Sequence, residues 1–189
     1  MSLIVYYDFT SPDSFALSEI LLAMPGCPPV EWRGVQMEPG APVQMVRHDR
    51  RAIDRLEMDL VATRRAAPDV RLHVPRGRPN TRVALQAVVA VERMHAVRAE
   101  SLRTAVFRGY WWDSADLSDV ATLRRLADEA GVPPWVDLAS QAAQATQVGW
   151  ELQWQVERLG GVPRVIREDG EILWQVESPA TVARFVGGG

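Results

Sequence analysis

The spacing of apolar positions changes several times along the chain, and each change predicts an element. Leu3, Ile4, Val5, Tyr6 and Tyr7 form an unbroken apolar and aromatic run, which predicts a strand covered on both faces. Beyond Asp8, Thr10 and Ser11 the spacing becomes helical. Pro12 suits a first helical position, and Phe15, Leu17, Ile20, Leu21, Leu22 and Met24 supply the apolar face. Val30, Trp32 and Val35 then stand among Glu31, Arg33 and Gln36, predicting a second strand over residues 30–37 that ends at Glu38-Pro39-Gly40. A strand, a helix and a strand make a βαβ unit with a right-handed crossover.

The middle of the chain is of another kind. Residues 43–66 set Met45, Ile53, Leu56, Leu60 and Val61 among many charges, the pattern of an amphipathic helix. Pro75, Gly77 and Pro79 predict a loop, with Asn80 and Thr81 placed to cap the next helix. Helical spacing returns over residues 82–98, 101–112, 116–131 and 135–159, the third stopping at Gly131 with Pro133 and Pro134 beyond it. No strand is expected between residues 43 and 148.

Two short strands follow, over residues 162–166 and 171–174, joined by an Asp169-Gly170 turn. Ser178-Pro179 then repeats the Ser-cap and Pro start before a final helix. The resulting order is βαβ, helices, β, β, α: an α/β chain carrying a helical insertion. The expected division is a discontinuous thioredoxin-like domain of residues 1–42 and 149–189 around an inserted all-helical subdomain of residues 43–148. A length of 189 residues suits one core with such an insertion.

Composition narrows the chemistry. All 21 basic residues are Arg, so Schiff-base catalysis on lysine is excluded. A net charge of -3 without a concentrated basic stretch argues against nucleic acid as the main partner. No signal peptide or membrane-length apolar run is evident, and a cytoplasmic location without a membrane partner is the expectation. Cys27 is the only cysteine, in the loop Pro25-Gly26-Cys27-Pro28-Pro29, so no internal disulfide can form. It reads as an incidental thiol, or as one that pairs with glutathione or another chain if exposed. His48, His73 and His95 lack metal-ligand spacing, and no metal is expected. No nucleophile elbow surrounds Ser11, so a Ser-His-Asp triad is not indicated. Trp111, Trp112, Trp135, Trp150, Trp154 and Trp174 read as core or interface residues, of which one or two could line an aromatic pocket.

Ser11 is the leading site candidate. A side chain at a helix N-cap faces free backbone N–H groups and the positive end of the helix dipole, which stabilise an anion, a thiolate included. Thioredoxin-fold oxidoreductases place a Cys-x-x-Cys pair at this strand-to-helix junction, where this chain has Ser11-Pro12-Asp13-Ser14. The same tetrapeptide also reads as an ordinary Ser-capped helix start.

Tyr7-Asp8-Phe9-Thr10-Ser11-Pro12-Asp13-Ser14-Phe15 resembles the opening of the DsbA-like superfamily, especially its serine-containing branch of 2-hydroxychromene-2-carboxylate isomerases and kappa-class glutathione transferases. Arg78-Pro79-Asn80-Thr81, Phe107-Arg108-Gly109-Tyr110-Trp111-Trp112 and Gly161-Val162-Pro163 resemble later motifs of that branch, in the same order. The second strand and Glu38-Pro39 also resemble the FrnE-like branch. The resemblance implies a thioredoxin-like fold of DsbA type and a glutathione-dependent isomerase or transferase acting on a small aromatic or unsaturated carbonyl compound. It implies Ser11 as catalytic residue beside the glutathione sulfur, with Ser11, Val162, Pro163, Glu177 and Ser178 as the glutathione-binding set. Phe9, Pro12, Asp13, Ser14, Asn80 and Arg164 are the further site-lining candidates, and relatives of this kind are often homodimers.

Two departures stand out. Arg164 occupies a position that is usually Thr, and Glu177-Ser178 replaces an Asp-Arg pair, which leaves Arg76 or Arg78 as substitutes for the missing cation. A non-catalytic binding protein and a thiol-disulfide oxidoreductase known by family alone are the rival readings, the second opposed by the two serines. The protein is accordingly expected not to reduce insulin. The double variant Ser11→Cys/Ser14→Cys should form an internal disulfide under a mild oxidant, scored by thiol titration. Free thiols in that variant would misplace the bend.

Overall fold

The computed structural model describes residues 2–188. Its order is β1 (Leu3–Tyr7), α1 (Pro12–Ala23), β2 (Val30–Gly34), β3 (Val46–Arg47), α2 (Arg50–Ala66), β4 (Gly77–Arg78), α3 (Arg82–Met94), α4 (Ala96–Asp113), α5 (Val120–Glu129), α6 (Gln141–Val156), β5 (Arg164–Arg167), β6 (Ile172–Leu173) and α7 (Pro179–Gly187). The main sheet runs β2-β1-β5-β6. β1 pairs parallel with β2 and antiparallel with β5, in the registers Val5 to Trp32 and Val5 to Val165. This is a thioredoxin-like sheet with a helical insertion between its βαβ half and its terminal hairpin.

The two-sided strand expected at residues 3–7 is realised. Leu3, Val5 and Tyr7 belong to the large core with α1 and α4, whereas Ile4 and Tyr6 face a second cluster with Val35, Leu159, Trp150 and Trp154 on the α6 side. Side chains alternate across a strand, so an unbroken apolar run needs cover on both faces. The large core holds an aromatic group from three elements. Phe107 of α4 lies 5.7 Å from Tyr7, 4.8 Å from Phe9 and 5.7 Å from Phe15, centroid to centroid. Phe15 stacks in turn on Trp111 at 6.3 Å.

Several element boundaries differ from the sequence expectation, each for a local reason. β2 stops at Gly34 because, after a last bond from Val35 N–H to Tyr7 O at the end of β1, the next donors turn to side chains: Gln36 N–H to Glu151 Oε1 and Met37 N–H to Asp8 Oδ2. The insertion does contain strand: β3 and β4 form a two-stranded antiparallel ladder, too short for periodicity to show. The helix expected from residue 82 to 98 breaks at His95, which has φ −152° and separates α3 from α4. The helix expected from Trp135 begins at Gln141, capped by Ser140, because the preceding turns bury Val136 and Leu138. The helix expected from Asp116 begins at Val120, where the Asp119 carboxylate accepts from Ala121 N–H and Thr122 N–H. α6 runs unbroken through residue 149, packing on both the sheet side and α3. Trp111 is buried as expected of a core residue, while Trp135 and Trp174 are 64% and 54% exposed.

No helix among the described residues is long and apolar enough to cross a membrane. Phe107→Ala should cost about 3–5 kcal/mol in denaturant unfolding, the range for deleting a buried aromatic ring. A loss below about 1 kcal/mol would show that the aromatic group is not what joins α4 to the sheet.

Candidate functional site

α1 begins as its sequence predicts. Ser11 has extended backbone (φ −84°, ψ 118°), and its Oγ accepts from Ser14 N–H at 3.1 Å with Pro12 in the first turn. The Ser11 hydroxyl in turn donates to Val162 O at 3.3 Å, across 151 positions of sequence. The Val162–Pro163 peptide bond is cis. The structure thus brings together the helix bend and the Gly161-Val162-Pro163 turn, two motifs that the sequence could only set side by side. Ser14, the second position of the bend, is fully buried, and its Oγ has no hydrogen-bond partner.

The other candidate residues are distributed unevenly around this pair. Asp13 Oδ1 accepts from the Thr63 hydroxyl, tying the first turn of α1 to α2. Phe9 contributes its carbonyl, which accepts from Trp111 Nε1 at 3.0 Å, while its ring is fully buried. Pro12 is half-buried. Asn80 bridges segments: its Oδ1 accepts from Gln36 Nε2 at 2.8 Å and from Arg82 N–H at 3.1 Å, and its Nδ2 donates to Ala41 O. Thr81 directs its hydroxyl to Asp8 rather than capping α3.

Arg164 turns back on the backbone. Its guanidinium donates to Leu159 O, Pro163 O and Trp174 O at 2.7–2.8 Å and lies 5.0 Å from the centre of the Trp174 ring. Ser178 caps α7, its Oγ accepting from Thr181 N–H at 3.1 Å. Glu177 is exposed. Neither Glu177 nor Ser178 is hydrogen-bonded to Ser11 or Val162 among the described residues. Of the substitute cations, Arg78 pairs with Glu38 at 2.8 Å, and the Arg76 N–H donates to Ser114 Oγ at 3.1 Å. Cys27 is half-buried, and burial raises its thiol pKa, so it is disfavoured as a thiolate. It follows the far end of α1, a helix roughly 18 Å long at 1.5 Å per residue, and so cannot serve the bend. No group of three or more His, Cys, Asp or Glu side chains could hold a metal among the described residues.

One residue outside the expected set controls the geometry. Asp8 reads in the sequence as a helix-entry residue, yet it is only 1% exposed. Its Oδ1 accepts from Thr10 N–H at 2.9 Å and the Thr10 hydroxyl at 3.0 Å; its Oδ2 accepts from Met37 N–H at 2.8 Å and the Thr81 hydroxyl at 3.2 Å. Its carbonyl accepts from Ser11 N–H. Burial lifts its pKa above the ordinary carboxylate value, against the lowering effect of those four donors. The available sequence signal is an acid placed directly after a strand that is apolar on both faces.

Asp8→Asn removes a buried charge but aims an NH₂ donor at groups that already donate. It should therefore destabilise the protein by about 1–3 kcal/mol in denaturant unfolding. Because the folded pKa of Asp8 is raised, the folded state holds its proton more tightly than the unfolded state. Its contribution to stability is then fullest in acid and declines as pH rises through the raised folded value, so the gap between wild type and Asp8→Asn should narrow in that direction. A gap that widens instead would mean that the four donors outweigh burial.

A family model of the DSBA-like thioredoxin domain matches residues 2–187. No curated protein sequence matches the chain. Among solved structures, a probable DsbA oxidoreductase from Streptomyces coelicolor is 18% identical with a TM-score of 0.76, over 100% of this chain and 90% of that one. The cytosolic disulfide reductase DsbM from Pseudomonas aeruginosa with GSH is 15% identical with a TM-score of 0.73, over 99% and 98% of the two chains. A 2-hydroxychromene-2-carboxylate isomerase is 19% identical with a TM-score of 0.71, over 99% and 95%. At these identities the likeness is one of fold.

Proposed function

The chain belongs to the DSBA-like thioredoxin domain family, and from that premise we propose that it is a glutathione-dependent isomerase or transferase acting on a small aromatic or unsaturated carbonyl compound. The observation that carries this reading is the contact between the Ser11 hydroxyl and the Val162 carbonyl at the N-terminus of α1. With serine at positions 11 and 14, and with Cys27 beyond the other end of α1, the chain has no dithiol of its own at the bend. A thiol used there comes from a co-substrate. Two of the fold neighbours, one a structure with GSH and the other an isomerase, agree with this direction.

The residues at the bend suit a thiol-bearing peptide. Glutathione, when bound, supplies a thiolate nucleophile that can add reversibly to an unsaturated carbonyl compound. The chain supplies the setting for that sulfur. The Ser11 proton points at Val162 O over 3.3 Å, a long and therefore weak bond for a hydroxyl donor, so turning it toward an anionic sulfur sacrifices little. The dipole of α1 adds to the stabilisation of negative charge. Val162 and Pro163 lie in the turn beside the bend, and Glu177 is an exposed carboxylate available to an ammonium group. A cytoplasmic location and a homodimer belong to the same reading.

Arg164 and Ser178 favour the second reading, a binding protein that retains the fold without the reaction. The first has its guanidinium committed to three carbonyls and the second its hydroxyl committed to a helix cap, so neither stands in the place of a missing γ-glutamyl cation.

Glutathione titration by calorimetry separates the two. Binding at millimolar concentration is expected, and its absence would leave the binding-protein reading. Ser11→Ala should cost about 1 kcal/mol of stability through the lost cap, and Ser11→Gly only a few tenths. Both should raise the thiol pKa of bound glutathione and reduce isomerase turnover alike despite their different stabilities. Effects on turnover that instead follow stability would make Ser11 a cap and nothing more.

A further inference from the structure

The opposite end of α1 carries a second, separate feature. A cavity of about 560 Å³ lies among the C-terminal turns of α1, the start of β2 and the junction of α3 with α4. One of its walls is Arg103. This residue is 7% exposed, and its guanidinium lies 4.0 Å from the centre of the Trp32 ring. No acceptor among the described residues takes any of its N–H groups, and its buried Nε is without a partner. Glu92 and Glu100 also line the cavity and act on Arg103 through space, but neither forms an ion pair with it.

A guanidinium with its Nε–H buried and unpartnered is costly unless something offsets it, and the terminal nitrogens have no acceptor among the described residues either. The stack on Trp32 supplies an attraction to the cation but no acceptor. Leu21, Met24 and Pro28 give the same cavity an apolar wall. A fixed cation beside an apolar surface in a concave site is a usual composition for a small-molecule pocket. Two nitrogens of a guanidinium match the two oxygens of a carboxylate in geometry and charge.

We propose that this cavity binds a small organic monocarboxylate, its oxygens on the Arg103 guanidinium and its apolar body against Leu21, Met24 and Pro28. Glu92 and Glu100 make the choice sharper, because a second negative charge on the ligand would face them. The pocket therefore prefers monocarboxylates to dicarboxylates. The proposal does not depend on glutathione or on Ser11, which lies at the other end of the helix.

Calorimetric titration of the full chain with benzoate, hexanoate, phthalate and the neutral isostere benzamide tests it. Benzoate or hexanoate should bind roughly tenfold or more tightly than benzamide, the discrimination expected when a charge-assisted pair is replaced by a neutral contact. Phthalate should bind more weakly than benzoate. Arg103→Met keeps the length of the side chain and removes the charge; it should abolish carboxylate binding while leaving the melting temperature unchanged or raised, as burying an apolar chain in place of an unpaired ion does. Equal binding of benzoate and benzamide, no binding of either monocarboxylate, or binding that survives Arg103→Met would each overturn the proposal. The comparison of ligands on the wild-type protein decides the matter even if the variant fails to fold.

Discussion

The geometry of the candidate site hangs on one buried carboxylate. Asp8 gathers four donors from three segments that are distant in sequence: the turn before α1, the chain leaving β2 and the entry to α3. Each of those donors belongs to a place where regular structure ends, so each would otherwise need another acceptor. By taking them, Asp8 sets the exit of β1 and the height at which Ser11 enters α1. A neutral side chain of the same size cannot do this, since an amide offers one acceptor oxygen where the carboxylate offers two. Burial works against the charge, and the hydrogen bonds are what make the arrangement tolerable.

That dependence also explains what could be read in the sequence. The strand at residues 3–7, the Ser11-Pro12 and Ser178-Pro179 helix starts and the Asp169-Gly170 hairpin were legible because local chemistry determines each of them. The β3–β4 ladder was not, because two residues a side carry no period. The break at His95 was hidden for a related reason: no Gly or Pro marks it, and the helical spacing continues on both sides. Ser11 was visible as a cap, and its partner motif as Gly161-Val162-Pro163. Their contact at 3.3 Å is a product of tertiary structure, as are the four bonds that make Asp8 central.

The bend itself is polar in an unusual balance. Its two serines have opposite fates, Ser11 with both an acceptor and a donor contact and Ser14 buried with neither for its hydroxyl. A helix N-terminus with a hydroxyl at the cap favours an anion, and the acid of that turn, Asp13, is directed to the Thr63 hydroxyl of α2 rather than to Ser11. The adjoining turn is braced by Arg164, whose fork fastens the carbonyls of Leu159, Pro163 and Trp174 into one unit. The side chain that departs most from the expected pattern therefore shapes the site from behind.

Arg164 illustrates how a chain without lysine uses its cations. A guanidinium holds several acceptors in a fixed plane, whereas an ammonium is a compact charge on a flexible stem. Arg33 joins Glu31, Tyr6 and Gln153 in the same manner, and Arg108 grips both oxygens of Glu19 while lying 4.9 Å from the centre of the Trp112 ring. Arg167 links Asp169, Glu171 and the Phe185 carbonyl at the end of the sheet. In each of these the donors are matched to acceptors of the protein itself, which is what allows a charged group to lie against apolar surface. Arg103 also has an aromatic neighbour, Trp32, and deeper burial but none of those acceptors. A residue that keeps the cost of the pattern without its compensation is better explained by something the cavity receives than by the stability of the fold.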